Sequence, residues 1–238
     1  MIIRDILKIF ATATLASCSG SLSQNNPEVA VVGAMKDVMW KGELHGKIYL
    51  DTLSDRSDLY GLGPLEYLKG EIMVLDGISY QSTVRPEGKI LVDENSNIRA
   101  PFFAYARISE WHERMLPDSI LTMKQLEAYL DAIKPPTEDP FMFKLSGVVD
   151  QAVIHVLNLP EGASVSSPAE AHQGQVDYSI SNDEVDIVGF FSTAHQTIFT
   201  HHDTFLHMHL ITKDQQQMGH LDEMQLQAGS ATLFLPFE

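Results

Sequence analysis

The stretch TFLHMHLIT, residues 204–212, alternates large apolar residues with histidine at a period of two. In an extended strand successive side chains point to opposite faces, so Leu206, Met208 and Leu210 share one face while His207 and His209 share the other. The apolar face requires a covering layer, and the backbone requires neighbours in a sheet. Similar β-rich runs recur along the chain: PFFAYARIS (101–109), FMFKLSG (141–147), AVIHVLNL (152–159), VDIVGFF (185–191) and SATLFLPF (230–237). KIYLDTL (47–53) reads as one more strand. The runs 72–75 and 78–80 flank Asp76-Gly77, a pair suited to a tight hairpin turn. A chain with this many strand signals is built around sheets.

Helical signals are fewer. Val32, Met35 and Met39 stand at helical spacing, with Gly42 placed to end the helix. In LTMKQLEAYLDAIKPP, Thr122 and Gln125 form a capping box, Leu126, Leu130 and Ile133 share a face, and Pro135-Pro136 stops the helix. A boundary falls at 134–140, and PEGASVSSPAEAHQGQ (160–175) reads as loop. There is no internal repeat and no glycine-rich phosphate loop.

Of the 238 residues 44% are apolar, enough for a real core, and the formal net charge is −16 from 32 acidic and 16 basic residues. No lysine or arginine cluster is present to neutralise a phosphate backbone, so nucleic acid is not expected as a partner. Residues 1–18 combine Arg4 and Lys8 with a short apolar run and small residues before Cys18, the only cysteine. That pattern is a secretory signal, too short to span a membrane as a helix. With Cys18 at the cut it resembles a bacterial lipobox, predicting an exported lipoprotein with a lipid anchor and a Ser/Gln/Asn-rich tether over 19–27. An ordinary signal peptide or a buried N-terminal helix is the alternative. A lone cysteine leaves no disulfide within the chain, so stability must come from the core, a metal or an oligomer.

Histidine is a poor core filler because its ring nitrogens need partners when buried. His207 and His209, two apart on one face, lie within reach of a single ion. The polar turn KDQQQMG then leads to His220 on a returning strand. Three neutral imidazoles with one open position make a catalytic type of zinc site, although iron, nickel and copper also accept such ligands. The alternative is a set of surface or individually satisfied histidines. His201 and His202, being adjacent, read as loop residues.

Two blocks carry a resemblance. GLGPLEYLKGEIMVLDGISYQ (61–81), and VGFFS followed by FLHMHLITKDQQQMGHLDE, are similar in order and separation to the signature blocks of the α-acetolactate decarboxylases. The resemblance implies a two-part α+β fold, with an N-terminal mixed sheet and helices over 28–138 and a β-rich metal-binding part over 139–238. It also implies a homodimer formed through the first sheet. It implies zinc held by His207, His209 and His220, joined by Glu71 as ligand or as proton-handling base. The reaction would convert a small-molecule substrate, acetolactate or a similar 2-hydroxy-3-oxo acid, to acetoin and carbon dioxide. Read without the resemblance, Glu71 is a solvated carboxylate at a strand start.

Departures from the family pattern are specific. His155 stands where the family has an arginine, as a proton donor or as a core histidine; an imidazole cannot grip a carboxylate in two places. Met218-Gly219 replaces a glycine pair, and the family's C-terminal tail with its additional glutamate is not expected here, Glu238 being the alternative in its place. These changes leave open a non-catalytic or altered-substrate zinc-binding envelope lipoprotein of the same fold. A cupin metalloenzyme also carries His-x-His on a strand, but the glutamate its motif needs does not follow HMHLITKDQ.

Overall fold

Two antiparallel sheets packed face to face follow from the alternation, each needing a partner for its apolar side. The computed structural model describes residues 27–137, 139–200 and 204–238. The leader, the tether up to residue 26, and His201 and His202 lie outside the described residues. The first part of the chain gives β1 (Ala30–Val32), α1 (Met35–Lys41), β2 (Ile48–Tyr49), β3 (Leu59–Pro64), β4 (Glu71–Leu75), β5 (Ile78–Val84), β6 (Ile90–Glu94), β7 (Arg99–Ala100) and β8 (Phe103–Arg107). Its six-stranded sheet runs β1-β8-β3-β4-β5-β6, and β2 pairs separately with β7. The Asp76-Gly77 hairpin is present: Leu75 pairs with Ile78, and both turn residues have positive φ, 50° and 79°.

The second sheet comprises β9 (His112–Met115), β10 (Phe141–Val156), β11 (Val176–Phe191), β12 (Leu206–Thr212), β13 (Met218–Leu226) and β14 (Thr232–Leu235), with α2 (Met123–Ile133) and α3 (Pro168–Ala171) between strands. Its order is β11-β12-β13-β10-β14-β9, and β11 also pairs with β10, so four strands close into a ring of pairings. Leu145, Ile154, Ile187, Leu210 and Met224 from this ring pack in one cluster with Leu126 and Leu130 of α2. The Thr122–Gln125 capping box of α2 is formed, satisfying amides that the first helical turn leaves unpaired. β9 and α2, which precede residue 138, belong by contact to this second sheet. A different cluster joins the sheets: Leu62, Met73 and Ala104 from the first meet Met142, Phe190, Ile211 and Met218 from the second.

Four local expectations change. Val32 ends a strand paired to Phe103, and Gly33 at φ 72° separates it from the helix, which begins at Met35. KIYLDTL is strand only at 48–49 and then turns into a 3-10 helix. The two runs around residue 150 form a single 16-residue strand, β10. Gly147 does not break it; it permits close approach, since a Cβ there would lie 2.8 Å from the Cα of Ala231. The segment read as loop contains α3, started by the Ser167 hydroxyl accepting from the Glu170 amide, with Pro168 in the first turn. Among the described residues no helix is long and apolar enough to cross a membrane.

Candidate metal centre

β12 is buried along its whole length, and its two faces do different work. Leu206, Met208 and Leu210 enter the cluster beneath α2. On the other face Ile211 enters the junction between the sheets, and His207 and His209 precede it on that side. In the register of β12 with β13, His209 stands opposite His220. One ligand-capable atom from each of His207, His209 and His220 lies within 4.8 Å of the others, and all three residues are buried. Their ring centroids are 5.0 to 5.5 Å apart. The expected triad is thus assembled in space.

Glu71, the first residue of β4, comes to the same place from the other sheet, its Oε2 3.7 Å from His209 Nε2. Only 2% of it is exposed, which overturns the solvated alternative. Two features hold it. Gly70 passes so close to β5 that a Cβ would lie 2.0 Å from the Ser82 carbonyl oxygen, and the Leu157 amide donates to Glu71 Oε1 at 3.3 Å. Burial pushes the Glu71 carboxyl well above its ordinary range, against the lowering effect of the Leu157 amide, and the charge of Asp222 adds to the rise. Glu71 Oε2 and His209 Nε2, 3.7 Å apart, are within ion-pair distance but beyond that of a hydrogen bond. A divalent cation among these groups would reverse that preference, because it favours the carboxylate.

His155 is brought in by β10, paired directly with His220, and its ring stacks on that of His220 at 4.6 Å. Its Nδ1 lies 2.8 and 2.9 Å from the two carboxylate oxygens of Asp222. A carboxylate only accepts, so Nδ1 carries the proton and Nε2 is the atom left for the cavity that His155 lines with Glu71, His207 and His220. Asp222 was not singled out in the sequence. In the ladder Ile154 pairs with Leu221 and Val153 with Glu223, so Asp222 is the extra residue of a β-bulge. Bulges re-aim side chains beside sites. The H-x-D spacing of His220 and Asp222 was the available signal, but its use required the bulge. Also unforeseen is the cover. Met35 and Met39 of α1, Phe102, and His172 at the end of α3 line the cavity opposite the histidines, and the His172 ring meets that of His155 edge-on at 5.7 Å.

The donor set suits a borderline cation: three neutral-capable nitrogens and one carboxyl oxygen, all buried, with no competing thiolate among them. Gly219 guards this geometry, since a Cβ there would lie 2.5 Å from the His155 carbonyl oxygen. Gly219→Ala is therefore expected to wedge β13 away from β10, lower stability by about 1–3 kcal/mol and reduce retained metal. An unchanged melting temperature with full metal content would contradict the register described here.

A sequence model of the α-acetolactate decarboxylases matches residues 32–234. The chain is 24% identical to the α-acetolactate decarboxylase of Methanosarcina mazei over 213 residues, covering 89% of this chain and 71% of that protein. It is 26% identical to the Lactococcus lactis subsp. cremoris enzyme over 197 residues, covering 81% and 78%. Among solved structures, acetolactate decarboxylase from Bacillus subtilis subspecies spizizenii superposes with a TM-score of 0.73 at 20% identity, covering 89% of this chain and 86% of that one. A Staphylococcus aureus protein of unknown function similar to α-acetolactate decarboxylase gives 0.71 at 15% identity, covering 87% and 84%. At these identities the superpositions speak for the fold, while the sequence match spans both strand systems and every residue of the histidine site. The chain belongs to the α-acetolactate decarboxylase family, a family of carboxy-lyases.

Proposed function

We propose that this protein is a zinc-dependent decarboxylase of acetolactate-like 2-hydroxy-3-oxo acids, releasing carbon dioxide and, from acetolactate, acetoin. The observation that carries the reading is the buried donor set of His207, His209 and His220 with Glu71 beside it. His207, His209 and His220 would hold zinc through their ring nitrogens. Bound there, the ion would supply Lewis acidity to stabilise the negative charge left by loss of carbon dioxide. With zinc bound Glu71 would be ionised, and its Oε2, beside His209, would take up and return a proton. His155, oriented by Asp222, presents Nε2 to the same cavity and makes one hydrogen bond where a guanidinium would make two.

The test is elemental analysis of purified protein, followed on the same sample by an acetoin and carbon dioxide assay with racemic acetolactate before and after chelation. One zinc per chain with chelator-sensitive product supports the reading. Zinc without product from any such acid would favour the non-catalytic or binding role; absence of bound metal would sink both. Asp222→Asn tests the orientation of His155 separately. An asparagine amide can donate to Nδ1 and so select the other tautomer. The expected result is a loss of roughly 10-fold or more in kcat/KM with zinc content unchanged. Equal activity would remove Asp222 from the site.

A further inference from the structure

The space leading to the histidines is divided. The inner compartment, against Glu71, His155 and the histidines, has a volume of about 20 Å³, room for about one water. The outer compartment, between α1, α3 and Thr197, has a volume of about 380 Å³, within the range of about 300–1,000 Å³ usual for small-molecule sites. Met35, Met39 and His172 line both, so these three side chains form the boundary between the two. The outer walls are mainly apolar, made by the two methionines, Pro168 and Trp40, with the exposed Lys36 at the rim. Trp40, on the last turn of α1, is 59% exposed. The other tryptophan, Trp111, instead donates to the Tyr60 hydroxyl at 3.2 Å and packs edge-on against that ring.

We propose that the outer compartment binds the apolar substituent of the substrate, and that the preferred acid carries a branched alkyl or aromatic group larger than methyl. This rests on the decarboxylase reading above. The inner compartment has room for little more than one oxygen of an acid, so the rest of an acid that reaches the histidines would extend past Met35 and Met39. A methyl group leaves the outer compartment full of water. A larger group displaces that water and covers the Trp40 indole, a gain that scales with the apolar area removed from solvent. Methionine side chains, unbranched and polarizable, can adjust around such a group. The amphiphilic shape of the cavity, polar and metal-binding at its floor and apolar outside, matches that of such an acid.

Two measurements on the purified zinc-loaded protein decide the matter. First, kcat/KM for the benzyl analogue of acetolactate is expected to exceed that for acetolactate at least tenfold, and Trp40→Ala to lower the ratio of the two about tenfold. A preference for acetolactate, or a ratio unmoved by Trp40→Ala, overturns the proposal. Second, in a Trp111→Phe background the reduced dihydroxy counterpart of the benzyl analogue, which cannot lose carbon dioxide in this way, is expected to shift Trp40 fluorescence saturably. A shift with no turnover of any acid would retain the apolar site and reject the decarboxylase reading. No shift, with Trp40 already shielded from a soluble quencher by a second copy or another segment of this chain, would reject the site.

Discussion

Replacing His209 with alanine is expected to reduce zinc from one ion per chain to a small residue after desalting, and carbon dioxide release with it. His209 is the histidine that lies beside Glu71. It is fully buried, stands opposite His220 in the ladder, and lies 3.7 Å from Glu71. Loss of an outer-shell partner alone usually costs 10- to 100-fold in metal affinity, and loss of a direct ligand should cost more. The fold is expected to survive, because the apolar clusters beneath α2 and between the sheets keep all their members, at a cost in stability for the cavity left by a fully buried imidazole. The informative comparison is therefore thermal. Zinc binds the folded state and should raise the melting temperature of the unaltered protein in a concentration-dependent way. That shift should vanish in His209→Ala, with each metal-free protein serving as its own reference. Stoichiometric zinc retained by the variant would refute the ligand set.

What could be read in advance follows a physical division between local and non-local information. The face shared by His207 and His209 is set by a two-residue period, and the Asp76-Gly77 hairpin by the φ values those residues tolerate. The α2 capping box also depends only on neighbours in sequence. Each appears in the structure as expected. Glu71 needed the family resemblance, because nothing in GEIMV tells a buried carboxyl from a solvated one; its burial comes from the second sheet and from Leu157, 86 residues away. Asp222 depends on a bulge created by the pairing of β13 with β10. The lid formed by Met35, Met39 and His172 depends on the packing of α1 against α3, a helix of four residues whose only local signals were Ser167 and Pro168. Nothing local joins the two runs of β10, and Gly147 between them allows the close approach of Ala231, 84 residues away in sequence.

Glu71→Gln separates proton handling from packing, since glutamine keeps the size of the side chain and an oxygen to accept from the Leu157 amide. Its expected effect is a fall in kcat of roughly 100-fold or more, the range usual for a positioned acid or base, with a smaller fall in zinc affinity because the three imidazoles remain. The metal-free protein offers a second readout. Burial raises the Glu71 carboxyl well above 4.5, so the folded chain holds this proton more tightly than the unfolded chain does. The associated stability is complete below pH 4.5 and is lost as the pH rises through the raised folded value. Urea unfolding of the chelated protein should therefore show stability declining above that pH through this group, and Glu71→Gln, which has no proton to lose, should flatten the decline. Zinc should remove it in the unaltered protein, by favouring the ionised carboxylate. A variant with kcat within threefold of the unaltered protein would exclude Glu71 from the chemistry. An unchanged pH dependence without metal would mean that the carboxyl is already ionised against a charged His209.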